Sequence, residues 1–218
     1  MEPQAFLQAL WQQRASAILR TGERERARRA MEAAVAGGFR IVEFTLTTPG
    51  ALELIAAFSR RDELIVGAGT VLAPEQARAA VAAGARFLVS PVVDEAVIAA
   101  ARALGVAVVP GGQTPTELWR AHALGAPLLK LFPAPAGGPA WLRAVLGPLP
   151  GLRVMPTHGV EPDNAAAWLE AGAFAVGFTS SLFDPEVLAA GAFEAVTERA
   201  RRCLAAVRGL ARPPRPPC

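Results

Sequence analysis

Short runs with strand character alternate with alanine-rich amphipathic stretches along almost the whole chain of 218 residues. The strand-like runs recur eight times, and each is followed by a segment whose apolar residues repeat with the period of a helix. This alternation is typical of folds in which helices connect and cover parallel strands. The predicted strands are 15–20, 40–45, 64–67, 86–89, 106–109, 128–132, 152–155 and 174–177, and the predicted helices are 23–36, 51–58, 74–82, 94–103, 115–123, 139–146, 162–171 and 185–208.

Eight strand–helix units in about 200 residues predict an α/β fold of the closed (β/α)8 TIM-barrel type, near the lower size limit of that fold. The alternative is an open doubly wound sheet, which usually has fewer strands and a glycine-rich first turn that this chain lacks. Helix-stop glycines recur shortly before the next strand, which fits the repeated unit. These glycines are Gly37, Gly38, Gly84, Gly105, Gly125 and Gly172.

Both ends of the chain depart from the repeated unit. Residues 3–13 predict an additional N-terminal helix, which we expect to cover the bottom of the barrel. Residues 211–218 are rich in proline, which excludes a helix, and we expect a flexible tail there. Residues 1–210 are therefore predicted to form a single barrel domain.

The composition argues against a membrane or nucleic-acid partner. Apolar residues make up 52% of the chain and the mean hydropathy is +0.31, which suits a sizeable core. Apolar stretches are interrupted before ~18 residues, and the N-terminus lacks the features of a signal peptide, so a cytoplasmic protein is predicted. The net charge of +3 comes from arginines that lie mostly among glutamates on predicted helices, so no nucleic-acid partner is expected.

The few cysteines and histidines argue against a metal site. The two cysteines are Cys203 and Cys218, and the two histidines are His122 and His158. The cysteines lack metal-ligand spacing, and two histidines are too few for a histidine-rich metal site. Two cysteines in a chain of this size do not make a disulfide scaffold. We therefore expect no bound metal and no structural disulfide.

Lys130 is the only lysine among 22 lysine and arginine residues. It lies in the apolar predicted strand 128–132, where a charged ammonium group is costly unless it is paired or deprotonated. Lysine can lose its proton in a protein, whereas arginine cannot, so this position indicates a nucleophilic amine and Schiff-base chemistry with a carbonyl substrate. Two other interpretations stay open on this run alone: a lysine that binds phosphate as a point charge, or a chance survivor of an arginine-rich composition.

Glu43 lies in the second predicted strand, where alternation places it on one face with Ile41 and Thr45. The opposite face is fully apolar and suits contact with helices, so Glu43 is predicted to point into the barrel. A buried carboxylate needs a partner or a chemical role, and we interpret Glu43 as a general acid/base with a raised pKa. The alternative is a structural ion pair with Lys130 or Arg20.

Several predicted strands end in small or polar residues, and in a TIM barrel the active site lies at those ends. The third strand leads to Thr70, whose hydroxyl is expected near the barrel mouth, and the fourth leads to Pro91. The loops after the seventh and eighth strands are the usual phosphate site of such barrels, and there the chain has residues 157–159 and 179–180. Their hydroxyls and backbone N–H groups suit an anion, although ordinary loop chemistry is the alternative.

Seven segments, each weak alone, form a specific combination in order and spacing. They are 18–20 (ILR), 37–46 (GGFRIVEFTL), 67–72 (GAGTVL), 90–91 (SP), 110–117 (PGGQTPTE), 129–134 (LKLFPA) and 156–160 (PTHGV). From about Ala17 to Phe183 the chain thereby resembles the family of 2-keto-3-deoxy-6-phosphogluconate (KDPG) / 4-hydroxy-2-oxoglutarate (KHG) aldolases.

The resemblance implies a class I aldolase that reversibly cleaves a 2-keto-4-hydroxy acid to pyruvate and an aldehyde, either glyceraldehyde 3-phosphate or glyoxylate. It implies that Lys130 forms the Schiff base with pyruvate and that Glu43 moves the proton, directly or through water. It further implies an enzyme without metal or cofactor that assembles as a homotrimer.

The resemblance also implies roles for residues around the substrate. Thr70 would contact the pyruvyl group, and Pro91 and Phe132 would line the pocket. The residues that would hold the distal phosphate or carboxylate are Arg20, Thr157, Gly159 and Ser180.

Two positions depart from the family pattern. Family members of the phosphogluconate type often carry an arginine, which would pair with a substrate carboxylate, where this chain has Thr47. Backbone amides near Gly69 and Thr70 could substitute for it. The second departure is His158, which stands at a phosphate-loop position usually held by glycine and could narrow the pocket or add a donor.

Two other classes of function remain open from the sequence. One is a phosphate-handling TIM-barrel isomerase or synthase that uses Lys130 only electrostatically and forms no covalent intermediate. The other is a non-catalytic barrel that binds a keto acid. The combination of Lys130 and Glu43 on interior strands favours the aldolase over both.

Overall fold

The computed structural model describes residues 1–210, which form parallel strands surrounded by helices. The strands are β1 (Ala15–Leu19), β2 (Ile41–Thr45), β3 (Ile65–Gly69), β4 (Phe87–Val89), β5 (Ala107–Val109), β6 (Gly111–Gly112), β7 (Leu129–Leu131), β8 (Val154–Pro156) and β9 (Val176–Phe178). The helices are α1 (Pro3–Gln13), α2 (Arg24–Ala36), α3 (Ala51–Phe58), α4 (Pro74–Ala82), α5 (Glu95–Ala103), α6 (Pro115–Ala123), α7 (Gly138–Leu146), α8 (Pro162–Glu170), α9 (Pro185–Ala189) and α10 (Phe193–Val207).

The strands curl into a barrel. They pair in parallel in the orders β5-β4-β3-β2-β1-β9 and β6-β7-β8. At one edge a parallel bridge between Thr157 and Gly177 joins the two sheets. At the other edge β5 and β6 are consecutive in the chain and separated only by Pro110, which has no N–H for the ladder. The predicted (β/α)8 TIM barrel with an additional N-terminal helix is therefore confirmed.

Helix α1 covers the bottom of the barrel, as expected. Its buried side chains are part of an apolar cluster with residues of the barrel interior. The ring of Phe6 stacks on that of Phe87 with centroids 4.5 Å apart, and Trp11 packs against Phe174 at 5.2 Å. Because this apolar plug occupies the amino-terminal side of the strands, the polar interior residues lie toward their carboxyl ends.

Some predicted boundaries differ from the structure. The predicted helical region 185–208 consists of α9 and α10, which are separated near Gly191 with a φ of 67°. That left-handed backbone conformation is unfavourable inside a right-handed helix and suits glycine. The strand predicted at 106–109 is followed by the short β6 because Pro110 interrupts the pairing, and β3 extends to Gly69 rather than residue 67.

The predicted flexible tail, 211–218, lies outside the described residues. Between residues 1 and 210, none of the helices combines the length and apolar character needed to cross a membrane. Within the same part of the chain, no group of three or more His, Cys, Asp or Glu side chains is placed to hold a metal ion.

Candidate active site

A cavity of about 400 Å³ lies at the carboxyl ends of the barrel strands. This is the end at which TIM barrels carry their active sites. Residues at or just beyond the ends of seven strands line it, so the closed barrel brings together side chains that are far apart in sequence. Six of the nine predicted site residues belong to this lining: Arg20, Thr70, Pro91, Lys130, Phe132 and Ser180.

Strand β7 directs Lys130 into the cavity. Its neighbours Leu129 and Leu131 pack into the core between strands and helices, so alternation turns the lysine to the interior. The side chain of Lys130 is largely buried, with 8% exposed, and its Nζ lies 4.8 Å from the centroid of the Phe132 ring. Burial lowers the pKa of Lys130, with a further lowering by the charge of Arg20 and an opposing effect of Glu43. A larger fraction of this amine is therefore neutral than for an exposed lysine.

Glu43 points into the barrel from β2, as predicted, and is completely buried. Neither carboxylate oxygen has a hydrogen-bond partner within residues 1–210, so the alternative of a hydrogen-bonded ion pair is not observed. Burial raises the pKa of Glu43, and the charge of Lys130 opposes this shift. Glu43 is not part of the cavity lining, which places its carboxylate behind the wall formed by the lining residues. The site thus pairs an amine and a carboxyl group that burial shifts toward their neutral forms.

Within the described part of the chain, the lining of the cavity contains basic residues and no acidic ones. The basic residues are Arg20, Lys130 and His158. Arg20 follows directly after β1, and its side chain is exposed to the cavity. Hydroxyl groups of Thr70 and Ser180 add hydrogen-bond donors. This combination suits a ligand with negative charge.

Two lining residues have a left-handed backbone that is uncommon outside glycine. The φ angles of Thr70 and His158 are both 59°. Such values are rarest for β-branched residues such as threonine, whereas histidine is among the residues that tolerate them better. Strained conformations of this kind cluster at ligand sites, where the surrounding structure holds them.

Comparison with known proteins identifies the family. The model of the family described as "KDPG and KHG aldolase" matches residues 8–199. The KHG/KDPG aldolase of Escherichia coli (strain K12) is 36% identical over 205 residues, which cover 89% of this chain and 96% of that protein. This chain belongs to the KDPG/KHG aldolase family. Members of the family are carbon–carbon lyases, and the predicted enzyme class is thereby confirmed.

Other relatives show the range of the family. The 2-dehydro-3-deoxy-6-phosphogalactonate aldolase of Escherichia coli (strain K12) is 37% identical over 170 residues, which cover 77% of this chain and 83% of that protein. A solved structure of the KDPG aldolase of Legionella pneumophila has pyruvate captured at low pH as a covalent carbinolamine intermediate. It matches with a TM-score of 0.79 and 29% identity, and the match covers 89% of this chain and 96% of that one.

Three predicted site residues of this aldolase do not line the cavity. Glu43 lies behind the wall, as described above. Thr157 is fully buried, and its hydroxyl donates a long hydrogen bond of 3.5 Å to the carbonyl of Leu131. Thr157 pairs with Gly177 in the middle of β9, and its side chain lies against that glycine, where an added Cβ would overlap it. Gly159 has a φ of 88° and follows the cavity residue His158.

The departure at Thr47 leaves no cation at that position. Thr47 is exposed and does not line the cavity. Its hydroxyl lies 3.0 Å from that of Thr45, which also lies 3.3 Å from the hydroxyl of Thr48. Thr45 itself lines the cavity, so this aldolase has a cluster of threonine hydroxyls at the end of β2.

Six lining residues were not among the predicted site residues. Strand alternation already placed Thr45 on the interior face with Glu43, so a signal for it existed. His158 departs from the family pattern and lies in segment 157–159, which the sequence predicts to suit an anion. Thr179 belongs to segment 179–180, which the sequence analysis assigned to the usual phosphate site of such barrels. No sequence signal distinguished Ile18, Phe183 and Pro185, because they depend on the path of β1 and of the loop after β9. The six residues are Ile18, Thr45, His158, Thr179, Phe183 and Pro185.

The loop after β9 is anchored from outside the barrel. The hydroxyl of Ser181 donates to the carbonyl of Val160 at 2.8 Å, which ties this loop to the one after β8. Arg199 of α10 donates to the carbonyl of Ser181 at 3.2 Å and to the carboxylate of Asp184 at 3.1 Å. Asp184 in turn accepts hydrogen bonds from N–H groups at the start of α9 and has a lowered pKa, chiefly because of these backbone bonds. These contacts fix the cavity wall that carries Ser180.

Proposed function

We propose that this protein is a class I aldolase that reversibly cleaves a 2-keto-4-hydroxy acid to pyruvate and an aldehyde through a Schiff base on Lys130. One observation carries the proposal: the only lysine of the chain projects into a cavity whose described lining holds no acidic residue, with its pKa lowered by burial. A neutral amine is the nucleophile that imine formation requires. The covalent pyruvate adduct of the Legionella pneumophila relative supports the same chemistry here.

The proposed reaction begins when Nζ of Lys130 attacks the C2 ketone and the resulting carbinolamine loses water. The protonated imine then accepts the electron pair of the C3–C4 bond as this bond breaks. Glu43 takes the proton of the C4 hydroxyl, so that C4 leaves as the carbonyl of the aldehyde. Protonated Glu43 returns a proton to C3 of the enamine, and hydrolysis of the imine frees pyruvate. Because Glu43 does not line the cavity, we propose that a water molecule carries these protons.

The proposed substrates are KDPG, KHG or both, in line with the names of the relatives. Each has the keto acid group at one end and a negatively charged group at the other. We propose that Thr70 contacts the pyruvyl part, with Pro91 and Phe132 beside it. We assign the distal anion to Arg20, Thr157, Gly159 and Ser180. Of these four residues, Arg20 and Ser180 line the cavity.

We also propose a cytoplasmic homotrimer, on the basis of the family resemblance. Two exposed apolar residues, Leu72 and Val92, follow the adjacent strands β3 and β4, and each is 49% exposed. Trp119 of α6 is 52% exposed. Sedimentation equilibrium should give three times the chain mass of 22.7 kDa. A monomer at micromolar concentration would contradict the trimer and leave the proposed chemistry untouched.

The decisive experiment is trapping of the imine with pyruvate and borohydride, followed by mass spectrometry and peptide mapping. We expect one reduced pyruvyl adduct on Lys130 in the wild type and none in Lys130→Arg, because a guanidinium cannot form the imine. A matched control is the double variant Lys130→Arg with Arg86→Lys, which moves the single lysine to an exposed site. This variant should also give no adduct, since an exposed lysine remains protonated at neutral pH.

Cleavage of KDPG and KHG is measured in parallel by coupling pyruvate to lactate dehydrogenase. Loss of turnover in Lys130→Arg together with loss of the adduct supports the covalent mechanism. Turnover that persists in Lys130→Arg, or a folded wild type that gives no adduct, contradicts it and favours a barrel that uses Lys130 only electrostatically.

A further inference from the structure

His158 presents its imidazole to the cavity. The ring meets that of Phe132 edge to face with centroids 6.0 Å apart, and Nζ of Lys130 lies 4.8 Å from the centroid of the same Phe132 ring. No hydrogen bond joins either ring nitrogen to another group in the part of the chain that the structure describes. The imidazole therefore has hydrogen-bonding capacity at the wall of the cavity that Lys130 also lines, and no described protein group uses it.

The backbone holds this ring in place at an energetic disadvantage. A φ of 59° at His158 is a left-handed conformation that glycine adopts more easily. The carbonyl of His158 accepts a hydrogen bond from the N–H of Ala134 at 3.3 Å, which ties this turn to the segment after β7. A side chain that is kept in such a conformation without a hydrogen-bond partner among the described residues is a candidate for ligand contact.

The surroundings of the imidazole suit an anion. Arg20 and Lys130 are the charged residues that share the cavity wall with it, and Glu43 lies behind that wall. The nearest acidic side chain in sequence, Glu161, lines a separate surface groove with Arg199. An imidazole offers one N–H donor when neutral and two when protonated, so it can donate to an anion in either state.

We propose that His158 is a specificity-determining residue that donates a hydrogen bond to the distal anionic group of the substrate. This inference rests on the proposed aldolase function and extends it. The anion is the phosphate of KDPG or the distal carboxylate of KHG, and both have the oxygen acceptors that an imidazole N–H requires. His158 then discriminates between substrates with and without a negative charge at the end remote from the Schiff base, and does not affect attack by Lys130.

The test compares the wild type with His158→Gly and His158→Asn. Glycine removes the side chain at a backbone conformation that it adopts freely, whereas asparagine tolerates the same conformation and keeps an N–H donor. The matched control is His122→Ala, which changes the other histidine, on α6 and outside the cavity lining. Steady-state kinetics are measured with KDPG, with KHG and with 2-keto-3-deoxygluconate, whose distal end is uncharged.

We expect His158→Gly to raise KM for substrates with a distal anion by about tenfold, as the loss of one charge-assisted hydrogen bond predicts, with kcat little changed. The KM for 2-keto-3-deoxygluconate should change by less than about twofold. His158→Asn should recover part of the loss, and His122→Ala should match the wild type. An effect on KDPG alone assigns the contact to phosphate, and an effect on KHG alone assigns it to carboxylate.

Unchanged KM for both anionic substrates in His158→Gly, or an equal loss for charged and uncharged substrates, overturns the proposal. Borohydride trapping of pyruvate in each variant separates this failure from that of the proposed function. A wild type that neither traps pyruvate nor cleaves a keto acid refutes the aldolase itself. A wild type and a His158→Gly variant that trap pyruvate equally and show identical kinetics refute only the role of His158.

Discussion

Oε1 of Glu43 on β2 occupies the position that a Cβ atom of residue 69 on β3 would take. Gly69 therefore makes the room that the buried carboxylate needs. Strand β3 makes similar room at Gly67, where a Cβ would overlap the ring of Phe87. Gly67 and Gly69 therefore allow Glu43 and the apolar cluster around Phe87 to share the barrel interior. In the sequence these two residues are visible only as a glycine-rich strand end.

Gly69→Ala should therefore lower the free energy of unfolding by about 1–3 kcal/mol, the usual cost of overpacking a core. Gly69→Ala should lower the free energy of unfolding by less in a Glu43→Ala background, because the Glu43 side chain that the new methyl group would overlap is absent. A urea-denaturation double-mutant cycle measures this coupling, which we expect to exceed about 0.5 kcal/mol. The control is Gly151→Ala, where an added Cβ meets nothing within 4 Å. Equal costs in both backgrounds would contradict the contact.

Glu43→Gln should change how stability depends on pH. Burial raises the pKa of Glu43, whereas the unfolded carboxyl titrates at about 4.3. Between the unfolded and the folded pKa the native state binds more protons than the unfolded state, so this group lowers stability as pH rises through that window. We therefore expect the free energy of unfolding of Glu43→Gln to increase relative to that of the wild type as pH rises above about 4.3. The full difference should be about 1.4 kcal/mol for each unit by which folding raises the pKa of Glu43.

Urea denaturation across this pH range measures the difference, and the exposed Glu53→Gln is the control. A difference that stays constant with pH would mean that Glu43 titrates as it does in the unfolded chain. In the same variant we expect borohydride trapping of pyruvate to persist while kcat falls by ~10²–10⁴, as the loss of a general acid/base predicts.

Thr70→Gly should stabilise the protein while weakening pyruvate binding. A φ of 59° is unfavourable for a β-branched residue, and its relief by glycine should raise the free energy of unfolding by about 1 kcal/mol. Loss of the hydroxyl from the cavity should reduce the rate of adduct formation with pyruvate. Thr70→Ser keeps the hydroxyl and should retain trapping close to the wild type. Faster or unchanged trapping of pyruvate in Thr70→Gly would show that the Thr70 hydroxyl does not contact pyruvate.

Arg199→Met should raise KM for the anionic substrates although Arg199 does not line the cavity. Its two hydrogen bonds hold the loop that carries Ser180, and small displacements of binding groups can cost up to ~10² in rate. We expect KM to rise by about tenfold and borohydride trapping of pyruvate to remain unchanged. The control is Arg202→Met, which removes an exposed arginine from the same surface groove. Equal effects of the two substitutions would argue that Arg199 does not act by holding the loop after β9.

The sequence by itself determined the number of strand–helix units, the barrel, and the two interior ionisable groups. These features follow from local periodicity, because alternation decides which face of a strand Glu43 and Lys130 occupy. The single lysine and the segments around it were also enough to indicate the family.

Only the tertiary structure decided how far each predicted residue lies from the cavity. Thr157 is turned into the barrel wall by its pairing with Gly177, and Glu43 lies behind the cavity rather than in it. Phe183 lines the cavity from the loop after β9, which Arg199 of α10 holds through the carbonyl of Ser181. Local patterns cannot specify such placements, since they depend on contacts between segments that meet only when the barrel closes.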